Sequence, residues 1–536
     1  MKKYRVFLSI AVVLSLLSCH PKQADDEGLK IFKYNESAGI LTLDPIYAKD
    51  LPHIWACNQV YNGLVAFDDD MNIIPMIAKN WEISNDGLIY TFTLNDSIQF
   101  HDDEIFKETR YVTANDVVYS FNRVVDKSLS SPGSWIFSVV KHDENGYAFH
   151  ALDEHTFQVE LSRPYPPFLG ILSMTYASII PHEAVDYYGE DFRRHPVGTG
   201  PFQFQYWKES VRLVFRKNPH YFEYDQDGNR LPYIDAVSIS FLIDRQVAFL
   251  EFVKGKFDFM SGIDARYKDE LLTHDGQLRK KYDDKIYLIT EPYLNTEYIS
   301  FYLSDDDTLG VERSRALRQA ISYAIDRDKM LRYLRNGIGT PATGGIIPKG
   351  LPGYRDSIGY AYDLKKAQEL IAAHHLENQP IHLTTTAEYA DIGKFVQSQL
   401  QAISLDCTME IMPPATMRSM RSTGSLGFFR ASWVADYPDA ENYLSLLTTS
   451  NCCPQGPNYS HYSNRQFDVL YDKALNCTDE TSRAAIYSEM DKLMMQDAPV
   501  VVLFYDEVLR FVNQRVTGLG SNPINLLSLK HVDVSN

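Results

Sequence analysis

Positive charge is scarce in this sequence. The chain of 536 residues has 52 lysines and arginines against 70 aspartates and glutamates, for a net charge of −18. So acidic a protein is a poor binder of nucleic acid and gains nothing from an anionic lipid surface. The composition therefore predicts no nucleic-acid partner.

Local catalytic motifs are also missing. There is no GxSxG elbow and no GxxxxGK[ST] phosphate loop. The segment PHEAVD begins like a zinc-protease helix, but Asp186 stands where the second histidine would be. GTGPF (198–202) lacks the third glycine of a dinucleotide fingerprint. We expect a protein that is not an enzyme and has no catalytic residues and no cofactor. A secreted hydrolase stays open as a lesser alternative, because a triad need not be local.

Cysteines are few, at 6 in the whole chain. Cys452 and Cys453 are neighbours, but no second CxxC or histidine pair accompanies them, so the sequence predicts no metal site. Export of the chain would permit disulfides. A bridge from Cys452 or Cys453 to Cys477 is one option, and pairing among these three, Cys57 and Cys407 stays open.

The only hydrophobic run at the N-terminus is short. Residues 6–17 follow Lys2, Lys3 and Arg5, whereas a membrane-spanning helix needs about 20 apolar residues. The run ends in Leu-Leu-Ser-Cys, which resembles the bacterial lipobox. The resemblance implies a signal peptide at 1–18, a lipid on Cys19 and a polar tether at 19–29. An ordinary secretory signal with an incidental cysteine is the alternative. Loss of residues 1–18, with three cations and no anion, would change the net charge from −18 to −21.

Regular structure of both kinds is indicated along the chain. A chain of this length predicts two or three domains, and irregular alternation of strand and helix patterns predicts a mixed α/β fold. We expect a hairpin at 80–94, a helix capped by Thr113 and another capped by Asp363. Further segments are predicted as strands at 157–161, 211–218, 236–243, 499–505 and 510–518, and as helices at 311–335, 364–374 and 481–496.

The segment FFRASWVADYPDA (428–440) is predicted to be a strand with one cation and one anion near its ends. Arg430 and Asp436 lie six residues apart, with Ala431, Ser432 and Ala435 around Trp433. One reading is structural: both charges pair with neighbours and hold the strand in place. The other is that they bind a ligand with two opposite charges of its own.

Several segments, in order, resemble one protein family. They are NIIPMIAKNWEISNDGLIYTFTL, VTANDVVYSFNRV, VGTGPF, RKNPHYF, LPYIDAVSISF, GKFD, RALRQAISYAIDRDKM and WVADYPDA. Together they are similar to the family 5 extracellular solute-binding proteins, the peptide-binding components of ABC importers, over about residues 30–515. The matched positions include Pro75, Ala78, Trp81, Thr113, Ala114, Asp116 and Val117. The chain departs from the pattern by an insertion after FHDD, and by Val434 where some relatives carry a disulfide cysteine.

This resemblance implies an α/β, two-lobed periplasmic-binding-protein-like fold of type II, with an extra inserted domain and a hinged ligand cleft. Lobe I would comprise residues 30–60, 195–294 and 504–536. The inserted domain would be 61–194, and lobe II would be 295–503. Closure of the hinge would bury the ligand.

The resemblance also implies a site and partners. Asp436 would bind the α-ammonium of a short peptide, Arg430 its α-carboxylate, and Trp433 would wall a side-chain pocket beside Ser432. Main-chain groups of the strand would pair with the peptide, and a second clamp would come from Lys49, Asp50 and Leu51. Partners would be ABC permease subunits and, through Cys19, a membrane facing the periplasm or cell exterior; the protein would be monomeric.

Two alternatives to a peptide receptor remain open. The same fold could bind a metal chelate, haem, an oligosaccharide or a cell-wall peptide. A glycan-capturing surface lipoprotein with a helix-rich fold is the other alternative, although the many strand patterns disfavour it.

Overall fold

The computed structural model describes residues 28–262, 264, 267–303 and 314–535. The predicted signal peptide and Cys19 lie outside these residues. Within the described ranges, every helix is too short or too polar to cross a membrane.

The described chain alternates strands and helices. The strands are β1 (Ile31–Asn35), β2 (Val65–Phe67), β3 (Ile73–Pro75), β4 (Ala78–Ile83), β5 (Ile89–Leu94), β6 (His142–Asp143), β7 (Gly146–Tyr147), β8 (Phe149–Ala151), β9 (Thr156–Glu160), β10 (Phe202–Lys208), β11 (Arg212–Lys217), β12 (Ala236–Ser240), β13 (Phe259–Ser261), β14 (Ile286–Phe301), β15 (Thr340–Pro341), β16 (Pro380–Thr385), β17 (Asp406–Ile411), β18 (Phe428–Val434), β19 (Val500–Asn513), β20 (Val516–Thr517) and β21 (Asp533–Val534).

The helices are α1 (Leu51–Val60), α2 (Ala114–Val125), α3 (Phe168–Ile171), α4 (His182–Tyr188), α5 (Arg245–Val253), α6 (Lys268–Leu271), α7 (Arg315–Ala324), α8 (Arg327–Leu334), α9 (Leu364–Ala373), α10 (Ala390–Gln401), α11 (Pro414–Ser422), α12 (Glu441–Leu444), α13 (Arg465–Leu475) and α14 (Glu480–Asp497). Short 3-10 turns join several of them. The mixed α/β content expected from the sequence is present.

One sheet of eleven strands runs through the molecule. Its order is β10-β11-β12-β1-β13-β19-β14-β18-β16-β17, with β15 added to β19. The longest members are β14, with 16 residues, and β19, with 14 residues, and they are antiparallel neighbours. Strands from the first half of the chain flank β19, and strands from 380–434 flank β14. The pair therefore carries the chain between two halves of the sheet.

The pair of long strands has a break in its ladder. Pro292 pairs with Glu507, but the next paired residue of β14 is Thr296, opposite Tyr505. The residues between them lack a partner in β19, and only Asn295 has one in β18, Val434, so the two halves of the sheet can bend here as at a hinge. We call Pro292–Thr296 with Tyr505–Glu507 the hinge segment.

A separate four-stranded sheet lies between residues 78 and 160. Its order is β4-β5-β9-β8, and helix α2 packs on it, with the rings of Phe121 and Phe157 5.4 Å apart. The predicted hairpin and helix are both confirmed here. Thr113 and Asp116 form the expected capping box, in which each side chain satisfies a main-chain N–H of the first turn.

Two segments differ from the sequence prediction. The helix expected at 311–335 is two helices, α7 and α8, because Ile325 is extended and Asp326 caps α8 by accepting from Lys329 N at 3.0 Å. Residues 311–313 lie outside the described ranges. The strands expected at 499–505 and 510–518 are largely one strand, β19, since Asp506 and Glu507 continue it through the hinge segment.

Hydrophobic clusters follow the two halves of the large sheet. One cluster gathers β1, β12, the small sheet and the C-terminal segment, and two others gather residues from 294 to 524. The domain boundaries predicted above, including an inserted domain at 61–194, stay a prediction.

Candidate functional site

Strand β18 has one edge that is only half covered. On one side, Phe428 to Val434 pair with β14. On the other, β16 pairs only with Phe428 and Phe429. Among the described residues, no strand pairs with 430–434 on that side. The segment is therefore a free strand edge in the middle of the fold.

The ladder between β14 and β18 determines which main-chain groups point to the free edge. Ala435 N donates to Leu294 O at 2.8 Å. Because neighbouring residues of an antiparallel strand direct their main-chain groups to opposite sides, those of Ser432 and Val434 face the free edge. Two residues predicted near the ligand, Ser432 and Trp433, thus lie on the segment that can accept another strand.

Asp436 follows shortly after strand β18. Its side chain is in contact with solvent, yet enough protein surrounds it that burial raises its pKa to about 6, against a hydrogen bond from Asn442 that lowers it. Among the described residues, no cation pairs with it; its one side-chain partner is Asn442 Nδ2, at 3.4 Å.

Asn442 orders the end of the strand. Its Oδ1 accepts from Trp433 Nε1 at 2.7 Å and from Asp436 N at 3.2 Å. This amide therefore sets the position of both predicted site residues. Sequence reasoning missed Asn442, although its place one turn after the DYPDA segment could have suggested a cap.

Side chains from the other half of the molecule face Asp436. Burial, with the charges of Asp436 and then Asp50, raises the pKa of Tyr176 to about 12. Tyr176 lies between α3 and α4, in the first half of the chain, whereas Asp436 follows β18. The charges of Asp50 and Asp436, which are distant in the sequence, thus both act on Tyr176.

The predicted clamp 49–51 begins helix α1. Asp50 is the N-cap and accepts from His53 N at 3.4 Å. Burial alone would raise the pKa of Asp50, but hydrogen bonding and charge at His53 lower it. Lys49 is exposed and its N–H donates to Tyr47 O at 2.9 Å. Leu51 lines a cavity that Glu388, from beyond β16, also lines.

Arg430 is already paired. Its Nε and Nη2 donate to the carboxylate of Glu297 at 3.0 and 2.6 Å, and its guanidinium lies 3.4 Å from the ring centroid of Tyr389. The side chains of Arg430 and Glu297 are 16% and 3% exposed. Burial by itself lowers the pKa of Arg430, but the charge of Glu297 more than offsets it. Arg430 therefore has a partner within the protein, as the structural interpretation of this residue requires.

Two cavities flank the long strands. The cleft cavity, about 350 Å³, lies between Leu51, Trp55, Phe259 and Glu388. The hinge cavity, about 730 Å³, is lined by the hinge segment and by Pro438, two residues after Asp436. These volumes are in the range of ligand pockets.

The described residues hold no group of three or more histidine, cysteine or acidic side chains that could bind a metal ion. All five described cysteines, Cys57, Cys407, Cys452, Cys453 and Cys477, are free thiols. The bridge considered between Cys477 and Cys452 or Cys453 is therefore not formed in this structure.

Comparison with known proteins agrees with this architecture. The model of the bacterial extracellular solute-binding proteins, family 5, matches residues 72–452. The chain is 27% identical over 497 residues to a dipeptide-binding protein of Escherichia coli, covering 89% of each chain. It is 28% identical over 487 residues to heme-binding protein A of Haemophilus influenzae, covering 87% of this chain and 85% of the relative.

A solved structure shows the same fold. The periplasmic binding protein DppA of Helicobacter pylori, in complex with the peptide STSA, superposes with a TM-score of 0.78 at 24% identity, covering 96% of this chain and all of that one. The expected type II, two-lobed α/β fold is confirmed. The chain belongs to the family 5 extracellular solute-binding proteins, which serve ABC importers.

Proposed function

We propose that this protein captures short peptides with a free N-terminus in the cleft beside β18 and delivers them to an ABC permease. The observation that carries the proposal is Asp436, a carboxylate on the cleft wall without a cationic partner among the described residues. An α-ammonium is the group that would balance it, since a charge enclosed by protein needs a partner of opposite sign.

The free edge of β18 supports an extended ligand. A peptide laid along Ser432 and Val434 would complete hydrogen bonds that the fold leaves open on that side, and this contact is blind to the peptide's side chains. Trp433 is held by Asn442 and only partly buried, so its ring can wall a side-chain pocket. Leu51, Asp50 and Lys49 would contact the ligand from the opposite lobe.

The far end of the peptide is held less firmly in this proposal. Arg430 keeps its predicted role as carboxylate anchor only through Nη1, because Nε and Nη2 donate to Glu297. A carboxylate placed there would share the guanidinium with an anion that already balances it. We therefore expect the ammonium end to supply most of the specificity.

Names of similar proteins support a peptide ligand without deciding it. The Escherichia coli relative is named for dipeptides and the Helicobacter pylori structure holds a peptide, whereas the Haemophilus influenzae relative is named for haem. Direct binding measurements must separate these ligand classes.

The test is calorimetry with trialanine and its N-acetylated form, on protein first unfolded and refolded to remove any ligand that co-purifies. We expect trialanine to bind and N-acetyl-trialanine to bind at least a hundredfold more weakly. Asp436→Asn should lose affinity for trialanine by about 3–5 kcal/mol, the effect of leaving an enclosed charge unpaired. Asp406→Asn, on an exposed position of β17, is the matched control and should bind as the wild type does. Equal affinity for the two peptides, or an unaffected Asp436→Asn variant, would remove Asp436 from the site.

We also propose that the protein is a monomer, exported and held at a membrane by lipid on Cys19. The support is the lipobox-like sequence alone. Fractionation of cells that express the Cys19→Ser variant tests it: the variant should leave the membrane fraction, and mass spectrometry of the wild-type N-terminal peptide should show the mass of acyl chains. An unmodified Cys19, or membrane retention of the variant, contradicts the anchor.

A further inference from the structure

Acidic side chains dominate the charged lining of both the cleft cavity and the hinge cavity. The charged residues that line the cleft cavity are Glu36, Arg245, Asp264 and Glu388. Those that line the hinge cavity are Asp70, Glu291, Lys349, Glu480, Asp506 and Glu507. The two linings therefore combine eight carboxylates with two cations.

The arginines in this region are not free to receive an anion. Arg430 is bound to Glu297. Arg335 forms an ion pair with Asp506. Arg245 lies 3.8 Å from Asp264. Each of these guanidinium groups is already balanced by a carboxylate of the protein, so none of them makes the cleft attractive to negative charge.

Most of the carboxylates, by contrast, form no ion pair with a described residue, although the charge of Arg245 acts to lower the pKa of Glu36 and that of Arg335 acts to lower the pKa of Glu507. Glu36 and Glu388 in the cleft cavity, and Glu291 and Glu507 in the hinge cavity, form no ion pair with any described residue. Burial raises the pKa of Glu291, and Asp69 and Asp70 raise it further. The surrounding negative charge is thus large enough to disfavour ionisation of a group within it.

Two of these carboxylates lie beside the break in the ladder between β14 and β19. Glu291 lies in β14 opposite Val508, and Glu507 lies in β19 opposite Pro292. They come from antiparallel neighbours at the point where the ladder breaks. Both side chains line the hinge cavity, so a cation bound in that cavity would lie near negative charge from both long strands.

We propose that the preferred ligands carry a second positive charge, and that the receptor selects peptides with a lysine- or arginine-like side chain over neutral and acidic ones. This inference rests on the proposed peptide-binding function and names its substrate class. A basic side chain would occupy the cavities beside Glu388 or Glu291, in addition to the ammonium at Asp436. The net charge of −18 would also speed the approach of a cationic ligand.

The experiment compares trialanine, Ala-Lys-Ala, Ala-Gln-Ala and Ala-Glu-Ala by calorimetry at low and moderate salt. Glutamine has the shape of glutamate without its charge, so it separates charge from size. We expect Ala-Lys-Ala to bind at least tenfold more tightly than Ala-Gln-Ala, and Ala-Glu-Ala at least tenfold more weakly. The lysine preference should shrink as salt is added, because part of it acts through solvent.

Charge-neutral variants test which carboxylates produce the preference for the lysine peptide. Glu388→Gln and the double variant Glu291→Gln/Glu507→Gln should each be compared by the ratio of lysine-peptide to glutamine-peptide affinity. At least one of the two should lower this ratio severalfold. Glu369→Gln, an exposed position on α9 whose carboxylate is 3.7 Å from Lys365, is the matched control and should keep the ratio.

The outcomes separate this inference from the proposed function. If trialanine binds but the lysine and glutamate peptides differ by less than twofold, or the glutamate peptide binds better, selection by charge is overturned and peptide capture stands. If the ratio is unchanged in both neutral variants, the assignment to these carboxylates is overturned. If no peptide binds the ligand-free protein, both proposals fail.

Discussion

At the scale of single residues, the raised pKa of Asp436 lowers the stability of the folded protein at neutral pH. Burial raises its pKa to about 6 from an ordinary value of 3.8. Between these values the folded chain holds a proton that the unfolded chain has lost, so the free energy of unfolding falls as pH rises through this window. Asp436→Asn should therefore unfold at a higher temperature than the ligand-free wild type at pH 7, by differential scanning calorimetry. An equal or lower unfolding temperature would contradict this account.

The same carboxyl predicts how binding depends on pH. A ligand ammonium needs the ionised form, which dominates only above a pH of about 6. Affinity for trialanine should be highest near pH 7 and fall about tenfold per unit below pH 6, since each unit then costs a tenfold smaller ionised fraction. It should also weaken from about pH 8 upward, where the peptide's own α-amino group loses its proton. Titration calorimetry at several pH values checks it. Affinity that stays flat to pH 4.5 would show that the ligand does not need this anion.

Arg430 gives a prediction that separates its two readings. Glu297 is 2% exposed, so Arg430→Ala leaves a carboxylate buried without its partner and should lower the stability by about 3–5 kcal/mol. Replacing both residues by methionine should restore most of that loss, because the unpaired charge is gone. Urea unfolding measures the free energy of unfolding of the wild type, of Arg430→Ala and of the double methionine variant. A stable Arg430→Ala variant that has lost peptide affinity would instead assign Arg430 to the ligand.

At the scale of elements, the open edge of β18 predicts a pattern of amide exchange. Without ligand, the amides of Ser432 and Val434 should exchange rapidly, whereas that of Ala431, directed at β14, is protected. Trialanine should slow exchange at Ser432 and Val434 and leave Ala431 unchanged. Hydrogen exchange followed by NMR resolves single amides. Protection at Ser432 and Val434 before ligand is added would show that the edge is not available to a peptide.

Most elements could be predicted from the sequence, and the failures have local causes. The hairpin β4–β5 and the capped helices α2 and α9 formed as expected because their turn and cap residues act within a few positions of the chain. The prediction of a single helix at 311–335 was wrong, because the apolar pattern continues across Ile325 although the helix ends before it. The cap at Asp326 becomes decisive only when both short helices pack on the sheet.

At the scale of the whole molecule, a polar contact joins segments that closure must bring together. Tyr165 donates to Glu441 Oε2 at 3.1 Å, and Tyr437 and Tyr471 donate to the same carboxylate. Tyr165 belongs to the predicted inserted domain, whereas the other three residues belong to predicted lobe II. The bond therefore links the predicted inserted domain to predicted lobe II.

Loss of that bond should favour the open form. A hydrogen bond to a charged group contributes about 1.5–3 kcal/mol, so Tyr165→Phe should release peptide about tenfold faster and show a larger radius of gyration without ligand. Stopped-flow release and X-ray scattering measure these effects. Tyr471→Phe is the control: it removes a bond to the same carboxylate within one lobe and should lower stability without changing release. Equal release rates for Tyr165→Phe and wild type would contradict the role in closure.

The sequence by itself determined the family, the α/β class and the position of most strands and helices, because ordered motifs and turn chemistry act locally. It also singled out Arg430 and Asp436. Only the tertiary structure decided that Arg430 is bound to Glu297, while Asp436 pairs with no cation in the part of the chain that the structure describes. The reason is physical: the state of a charge depends on which partners the fold brings within a few ångströms, and Glu297 lies 133 residues away in the chain.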